Sequence, residues 1–301
     1  MKLYIIGNGF DCHHKLNTTY SSYRKYLSDI HPEIALDYER FPYLSIPNSP
    51  WSDIEKALMI DYRSLMQEKV NYAYPDGIES KNGMWLNIDL ELHKSTEFIN
   101  GFTGKYFAEW LNSINYDEAI ADLNLSKDNI YLNFNYTDSL QKLYGIENKN
   151  ILHIHGQLSR IRRLNDISVR KELQFGAVGI SAKDIEKELI DKYRHCFLSS
   201  LFIKPAIDVL CEFIHKSTKN LNKNFAPLIQ FIETKDVEEV IVMGHKLDGA
   251  DIKYYEHVLI PSFKNKAWIF YRYGGKNSYD AAIINDFINK HTLKNTCIID
   301  W

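Results

Sequence analysis

Four short segments of the 301-residue chain place glycine or asparagine directly after an apolar run rich in β-branched and aromatic residues. Gly7-Asn8-Gly9 follows Leu3-Tyr4-Ile5-Ile6, Asn135 follows the run 129–134, His155-Gly156 follows 151–154, and Gly244-His245 follows 239–243. Runs of this composition read as buried strands. Glycine after a strand lets the main chain turn tightly and approach a ligand closely, with backbone N–H groups open to phosphate. Alone, Gly7-Asn8-Gly9 is a weak signal, since Cys12 stands where the third glycine of G-x-G-x-x-G would fall. The four ends together say more. In a parallel sheet the strand C-termini gather on one edge, and ligands bind there at the switch point of strand order. The pattern therefore predicts a nucleotide-type site.

Other residues carry competing readings. His153 and His155 would share a face of one strand, a spacing compatible with a metal, but no third ligand accompanies them and no metal is expected. Asn135 also reads as a turn or cap residue, Asp11 as a tie for the glycine turn, and Asp251 as a helix cap. Ser52-Asp53-Ile54-Glu55 fits a capping box at a helix start, and His13-His14 reads as turn surface. No Ser-His-Asp arrangement, P-loop or H-E-x-x-H occurs.

The elements that must position these residues follow from periodicity. Trp51, Ile54, Leu58, Tyr62, Leu65 and Met66 form one helical stripe, residues 72–83 read as a loop, and 85–114 read as largely helical. More than a hundred residues thus separate the first strand from the next, far more than a βαβ crossover needs. Further strands are predicted at 129–134, 151–154, 173–176, 239–243, 267–271 and 296–301, with helices over 182–193, 206–215, from Tyr254 to near Pro261, and 279–288. Strands alternating with helices predict an α/β fold, Rossmann-like, with a mainly parallel sheet. The expected organisation is a single domain over 1–301 with a mainly helical insertion over 17–125. Hydrophobic residues make up 45% and charged residues 25%, which is ordinary globular composition. The net charge of −3 argues against a general nucleic-acid binder, although the run 157–171 is basic. Four scattered cysteines and an N-terminal apolar run too short for a signal peptide lead us to expect a cytoplasmic protein, with no membrane partner.

Ile-Ile-Gly-Asn-Gly-Phe-Asp (5–11), Trp-Ser-Asp-Ile-Glu (51–55), Asn-Phe-Asn-Tyr-Thr (133–137), His-Ile-His-Gly (153–156) and Val-Met-Gly-His-Lys-Leu with Asp251 resemble the AbiH bacteriophage abortive-infection family. That family is in turn similar to sirtuin-like domains, several of which cleave NAD in phage defence. The resemblance implies a sirtuin-like sheet that binds NAD or a related nucleotide and hydrolyses NAD to nicotinamide and ADP-ribose. It implies Asn135 and His155 as catalytic residues, the first holding a water or ribose hydroxyl, the second acting as general base. It implies Gly7, Asn8, Gly9, Phe10, Asp11, Thr137, Asp138, Gly156, Gly244, His245 and Lys246 as the dinucleotide contacts. Two positions depart from the sirtuin pattern: Thr137 stands where an Asp is usual, and Lys246 where a Ser is usual. The alternative is a nucleotide- or phage-protein-sensing module without turnover. A phage-derived trigger and a homo-oligomer are the further partners this resemblance leaves room for.

Overall fold

A computed structural model describes residues 1–73, 92–93, 96–161, 168–169, 172–177, 181–193 and 204–301. Six strands form one sheet: β1 (Lys2–Ile6), β2 (Ile130–Asn133), β3 (Ile151–His153), β4 (Glu239–Met243), β5 (Ala267–Arg272) and β6 (Thr296–Asp300). Their order is β3-β2-β1-β4-β5-β6, and every pairing is parallel. The chain therefore leaves β1 toward one edge, returns to its other side, and proceeds to the opposite edge. The reversal falls between β1 and β4.

Register decides what meets at that reversal. Ile6 pairs with Asn133 on one side and Met243 on the other, and Asn133 pairs with His153. Four strands consequently end at one level, and the residues that follow them emerge side by side.

The strands read as nearly unbroken apolar runs because both faces of the sheet are covered. On one face Leu3, Ile5, Leu132, Val240, Val242, Trp268 and Phe270 pack with residues of the helices Asn222–Glu233 and Tyr279–His291. On the other, Tyr4, Ile6, Tyr131, Ile241 and Met243 pack against Phe10 and Leu140. A third core stands apart from the sheet. It joins Tyr23, Tyr38, Leu65, Phe102, Phe107 and Trp110 to Leu189, Leu210 and Phe213, so these helices come from two stretches of the chain. Two of its buried hydroxyls are satisfied by backbone carbonyls: Tyr23 donates to the Phe102 carbonyl at 2.6 Å and Tyr38 to the Pro50 carbonyl at 2.8 Å.

Several sequence expectations are corrected. Residues 173–176 form no strand; the chain there makes an isolated parallel bridge, Ala177 to Thr218. The stripe from Trp51 to Met66 is divided between helices Ile54–Ala57 and Tyr62–Ala73. The first is capped by Asp53, which accepts from Lys56 N at 3.0 Å, while Ser52 donates instead to the Ser49 carbonyl at 2.7 Å. The helix expected to stop near Pro261 continues as Ile252–Tyr254, a π turn over Tyr255–Leu259, and Ile260–Phe263. The π turn shifts the hydrogen-bond ladder, and Pro261 falls in the first turn of the restarted segment, where no N–H is required. His14 is fully buried rather than turn surface, with Nδ1 donating to the Phe10 carbonyl at 2.6 Å. The expected loop at 72–83 lies outside the described residues beyond Ala73, as does much of the basic run 157–171; of the helical stretch 85–114 the described part holds the helices Phe98–Phe102 and Lys105–Asn112, while 85–91 and 94–95 lie outside. Among the described residues no helix is long and apolar enough to cross a membrane.

The β1–β4 reversal depends on backbone proximity. Gly7 is extended (φ −117°) and leads straight into the helix Asn8–His13, so Gly7-Asn8-Gly9 is a strand–helix junction rather than a free-standing turn. A Cβ on Gly7 would lie 2.4 Å from His245 Cα, and one on Gly9 2.7 Å from Gly244 Cα. Gly244 itself has φ +65°, and a Cβ there would lie 2.3 Å from Phe10 N. Gly244→Ala should therefore combine left-handed strain with a backbone clash and cost about 2 kcal/mol or more of stability. Gly275→Ala, at φ +78° with nothing within 4 Å, should cost only the backbone term, about 1 kcal/mol. Denaturant midpoints of the two variants against wild type check this; equal losses would refute the close-approach argument.

Candidate active site

A cleft of about 920 Å³ opens where β1, β2 and β4 end. Its size suits a drug-sized or nucleotide-sized ligand. The strand ends supply one wall, and Tyr20, Asp53, Glu55, Phe107 and Trp110 of the helical layer supply the other. Tyr136 joins the two walls, donating to the Gln174 carbonyl at 2.8 Å and meeting the Phe107 ring edge-on at 5.2 Å.

The β1 junction is pinned from beneath. Gly7 N donates to the Met243 carbonyl at 3.0 Å and Gly9 N to the Gly244 carbonyl at 2.9 Å. Those two amides are therefore not open to a phosphate, which corrects the expectation drawn from the glycines. Their role is spatial: they let the β1 and β4 loops touch. Asn135 closes the same corner, donating from Nδ2 to the Gly7 carbonyl at 3.0 Å while its own N–H is held by Asn133 Oδ1 at 2.9 Å.

Asp11 is fully buried under this corner. Thr137 donates to its Oδ2 at 2.6 Å, and its Oδ1 has no partner among the described residues. Burial pushes its carboxyl up to about 6, against the opposing help of Thr137, Ser139 and Asn135.

The charged centre lies beside it. His155 Nε2 is 3.0 Å from Asp251 Oδ1, and Lys219 Nζ is 3.9 Å from the same oxygen. His245 Nε2 is 3.9 Å from Asp251 Oδ2, and Lys219 makes a 2.6 Å ion pair with Glu55 Oε1. Burial alone would push the Asp251 carboxyl up; Lys219, His155 and His245 together hold it well below the usual carboxylate range. Burial likewise disfavours the Lys219 charge, but Asp251 and Glu55 keep it an ammonium. Glu55 is shifted upward, chiefly by burial and against the pull of Lys219. Both imidazoles move down: His155 through burial and then Lys219, and His245, mainly through burial, to about 4. At neutral pH the centre thus holds two neutral histidines around a carboxylate.

An ionised carboxylate only accepts, so His155 must carry its proton on Nε2 to bond Asp251. Its Nδ1 then presents a lone pair, and that atom is buried without a partner among the described residues. The His245 Nδ1 is in the same condition. Buried polar atoms left unpaired are costly. A ligand or water that reached either atom would relieve it.

Ten of the residues singled out in the sequence line this cleft: Gly7, Asn8, Gly9, Asp11, Asn135, Thr137, His155, Gly244, His245 and Lys246. Phe10, Asp138 and Gly156 do not. Phe10 is a core residue whose ring lies tilted against His14; Asp138 accepts from Gln157 Nε2 at 2.7 Å; a Cβ on Gly156 would lie 1.7 Å from the Glu172 carbonyl oxygen. Asp251, read as a cap, makes no side-chain cap and turns to His155 instead. His153 is held by Gln141 and the Asn135 carbonyl, away from His155's partners. Lys246 stands at the exposed mouth, paired with Asp53 at 3.2 Å. Lys219 had no signal in the sequence. It is delivered by the Ala177–Thr218 bridge, its own N–H donating to the Ala177 carbonyl at 2.7 Å.

A family model described as bacteriophage abortive infection AbiH matches residues 3–273. No curated protein and no solved structure matches the chain.

Asp11 supplies a test of this burial. A carboxyl raised from 3.8 to about 6 stabilises the fold below pH 4 and loses that contribution as pH rises through about 6. Asn at this position stays neutral and can still accept from Thr137. Asp11→Asn should therefore gain stability relative to wild type between pH 4 and pH 7, by roughly 3 kcal/mol at most. Urea unfolding of both proteins across that range measures the difference; a flat difference would sink the assignment.

Proposed function

We propose, from the premise that this chain belongs to the bacteriophage abortive infection AbiH family, that it binds NAD or a related nucleotide in the cleft and hydrolyses NAD to nicotinamide and ADP-ribose. Membership gives the protein a role in abortive-infection defence. The observation that carries the chemical reading is the His155–Asp251 pair, with the His155 Nδ1 lone pair unclaimed in a cleft at the β1–β4 reversal.

The order β3-β2-β1-β4-β5-β6 is the doubly wound order in which dinucleotides lie across the strand ends, which supports a Rossmann-like and, more finely, a sirtuin-like reading. Hydrolysis would break the C1′–N bond, its electron pair leaving with neutral nicotinamide. Positive charge then builds on the ribose, as in glycoside cleavage. Asp251 and Glu55 offer negative charge nearby. Water bonds to C1′ and gives a proton to His155 Nδ1, a step of general-base type. Asn135 would hold the water or a ribose hydroxyl, and Lys246 at the mouth would meet phosphate.

One observation favours the second reading, a sensing module without turnover. The Asn135 Nδ2 and the Gly7 and Gly9 amides already have partners within the protein. Calorimetry with ADP-ribose and chromatography of NAD incubations separate the two readings.

Wild type should release nicotinamide, with His155→Ala and Asn135→Ala each reduced by about 100-fold or more. Equal release by all three, or none under activating conditions such as a phage-infected lysate, would end the catalytic reading. Tight ADP-ribose binding without product over hours would install the sensing one.

A further inference from the structure

Lys219 is the least expected member of the site. It lies in a segment with no motif, its side chain is 2% exposed, and it contacts carboxylates from two separate parts of the fold. Glu55 comes from the helical layer and Asp251 from the loop after β4. The two contacts differ in closeness, 2.6 Å to Glu55 and 3.9 Å to Asp251 Oδ1, the latter being the oxygen that His155 Nε2 also approaches.

That shared oxygen has a chemical consequence. A carboxylate beside an imidazole, acting alone, favours the imidazolium. An imidazolium has no lone pair to offer, so an Asp–His pair by itself raises the pH below which Nδ1 cannot accept a proton. A buried ammonium on the same carboxylate opposes this, because it repels a second positive charge at His155. The groups facing His155 fit that balance: Asp251 attracts a proton, while Lys219, and Lys223 beyond it, repel one. Other neighbours among the described residues include the rings of Phe134, Tyr136 and Tyr254, and His245, whose own imidazole is shifted toward the neutral form mainly by burial.

We propose that Lys219 is a positioning residue of this site: by sharing Asp251 Oδ1 with His155, and anchored there by Glu55, it leaves the imbedded imidazole oriented by the carboxylate yet unprotonated at Nδ1. Its value for catalysis rests on the NAD-hydrolysis reading above, whereas its effect on His155 exists without ligand. Glu55 pairs with Lys219 at 2.6 Å, which allows the ammonium to remain in so buried a place.

The test is a ring-carbon NMR titration of the full, ligand-free protein with labelled histidine, the His155 signal being assigned by its loss in His155→Gln. In wild type His155 should titrate below the ordinary value of about 6.5, despite its carboxylate partner. Lys219→Met alone leaves Glu55 uncompensated and risks misfolding, so the Glu55→Gln/Lys219→Met double variant removes both charges at near-constant shape. In it the proton affinity of His155 should rise about tenfold or more, while Lys219→Arg should leave it within about twofold of wild type. The acid limb of the nicotinamide-release profile should move upward with the double variant. A wild-type His155 titrating above about 6.5, or a folded double variant with unchanged His155 affinity, overturns the proposal. Wild type that releases no nicotinamide removes the reaction instead, a different result from an unmoved titration.

Discussion

The site depends first on a backbone contact. At the β1–β4 reversal, Gly7 and Gly9 lie so close to Gly244 and His245 that a side-chain carbon on any of the three glycines would fall within 2.7 Å of main-chain atoms. The Gly9 N–H to Gly244 carbonyl bond fixes the distance. Because Ile6 is in register with both Asn133 and Met243, this single contact also sets where Asn135 and His245 emerge. Larger residues here would part the loops and displace the cleft floor.

The second constraint is electrostatic. Placing a lysine and two carboxylates in a largely buried centre is an expensive way to hold two layers together, since well-packed apolar residues often do as well or better. The arrangement does something apolar packing cannot. It keeps one carboxylate ionised next to two imidazoles shifted toward their neutral forms, each with an Nδ1 that has no partner among the described residues. Asp11 adds a buried carboxyl with an unpaired oxygen a few residues from the same corner. Unsatisfied polar atoms and perturbed titratable groups at one place are a feature of functional sites rather than a contribution to stability.

The centre is also composite. Glu55 and Tyr20 belong to helices that pack around their own core, Lys219 follows the helix Lys204–Ser217 of that same core, and His155 and Asp251 lie on the loops after β3 and β4. Lys246 and Asp53 pair across the exposed mouth of the cleft, while Lys219, paired with Glu55 at 2.6 Å, reaches Asp251 at 3.9 Å inside it. Exposed pairs are worth little, so the shielded contacts of Lys219 carry the electrostatic link between the walls.

This composition explains what the sequence could reveal. The strands were legible because burial on both faces leaves unbroken apolar runs such as Val240 to Met243, and the polar strand ends were legible because they interrupt those runs. The glycines mark the site for a reason the sequence does not show: neither Gly7 nor Gly9 has a positive φ, and the pressure on them comes from a loop distant in sequence. Glu55 and Asp251 were visible only as helix-start residues, because local hydrogen bonding explains Asp and Glu there equally well. His155 and Asp251 stand 96 positions apart, and nothing local to either marks the other as its partner. Lys219 shows the limit most clearly. A lysine in a polar stretch reads as solvated surface, and only the bridge from Ala177 to Thr218 turns it inward onto two carboxylates. A charge is informative when it is buried, and burial is a property of the assembled fold.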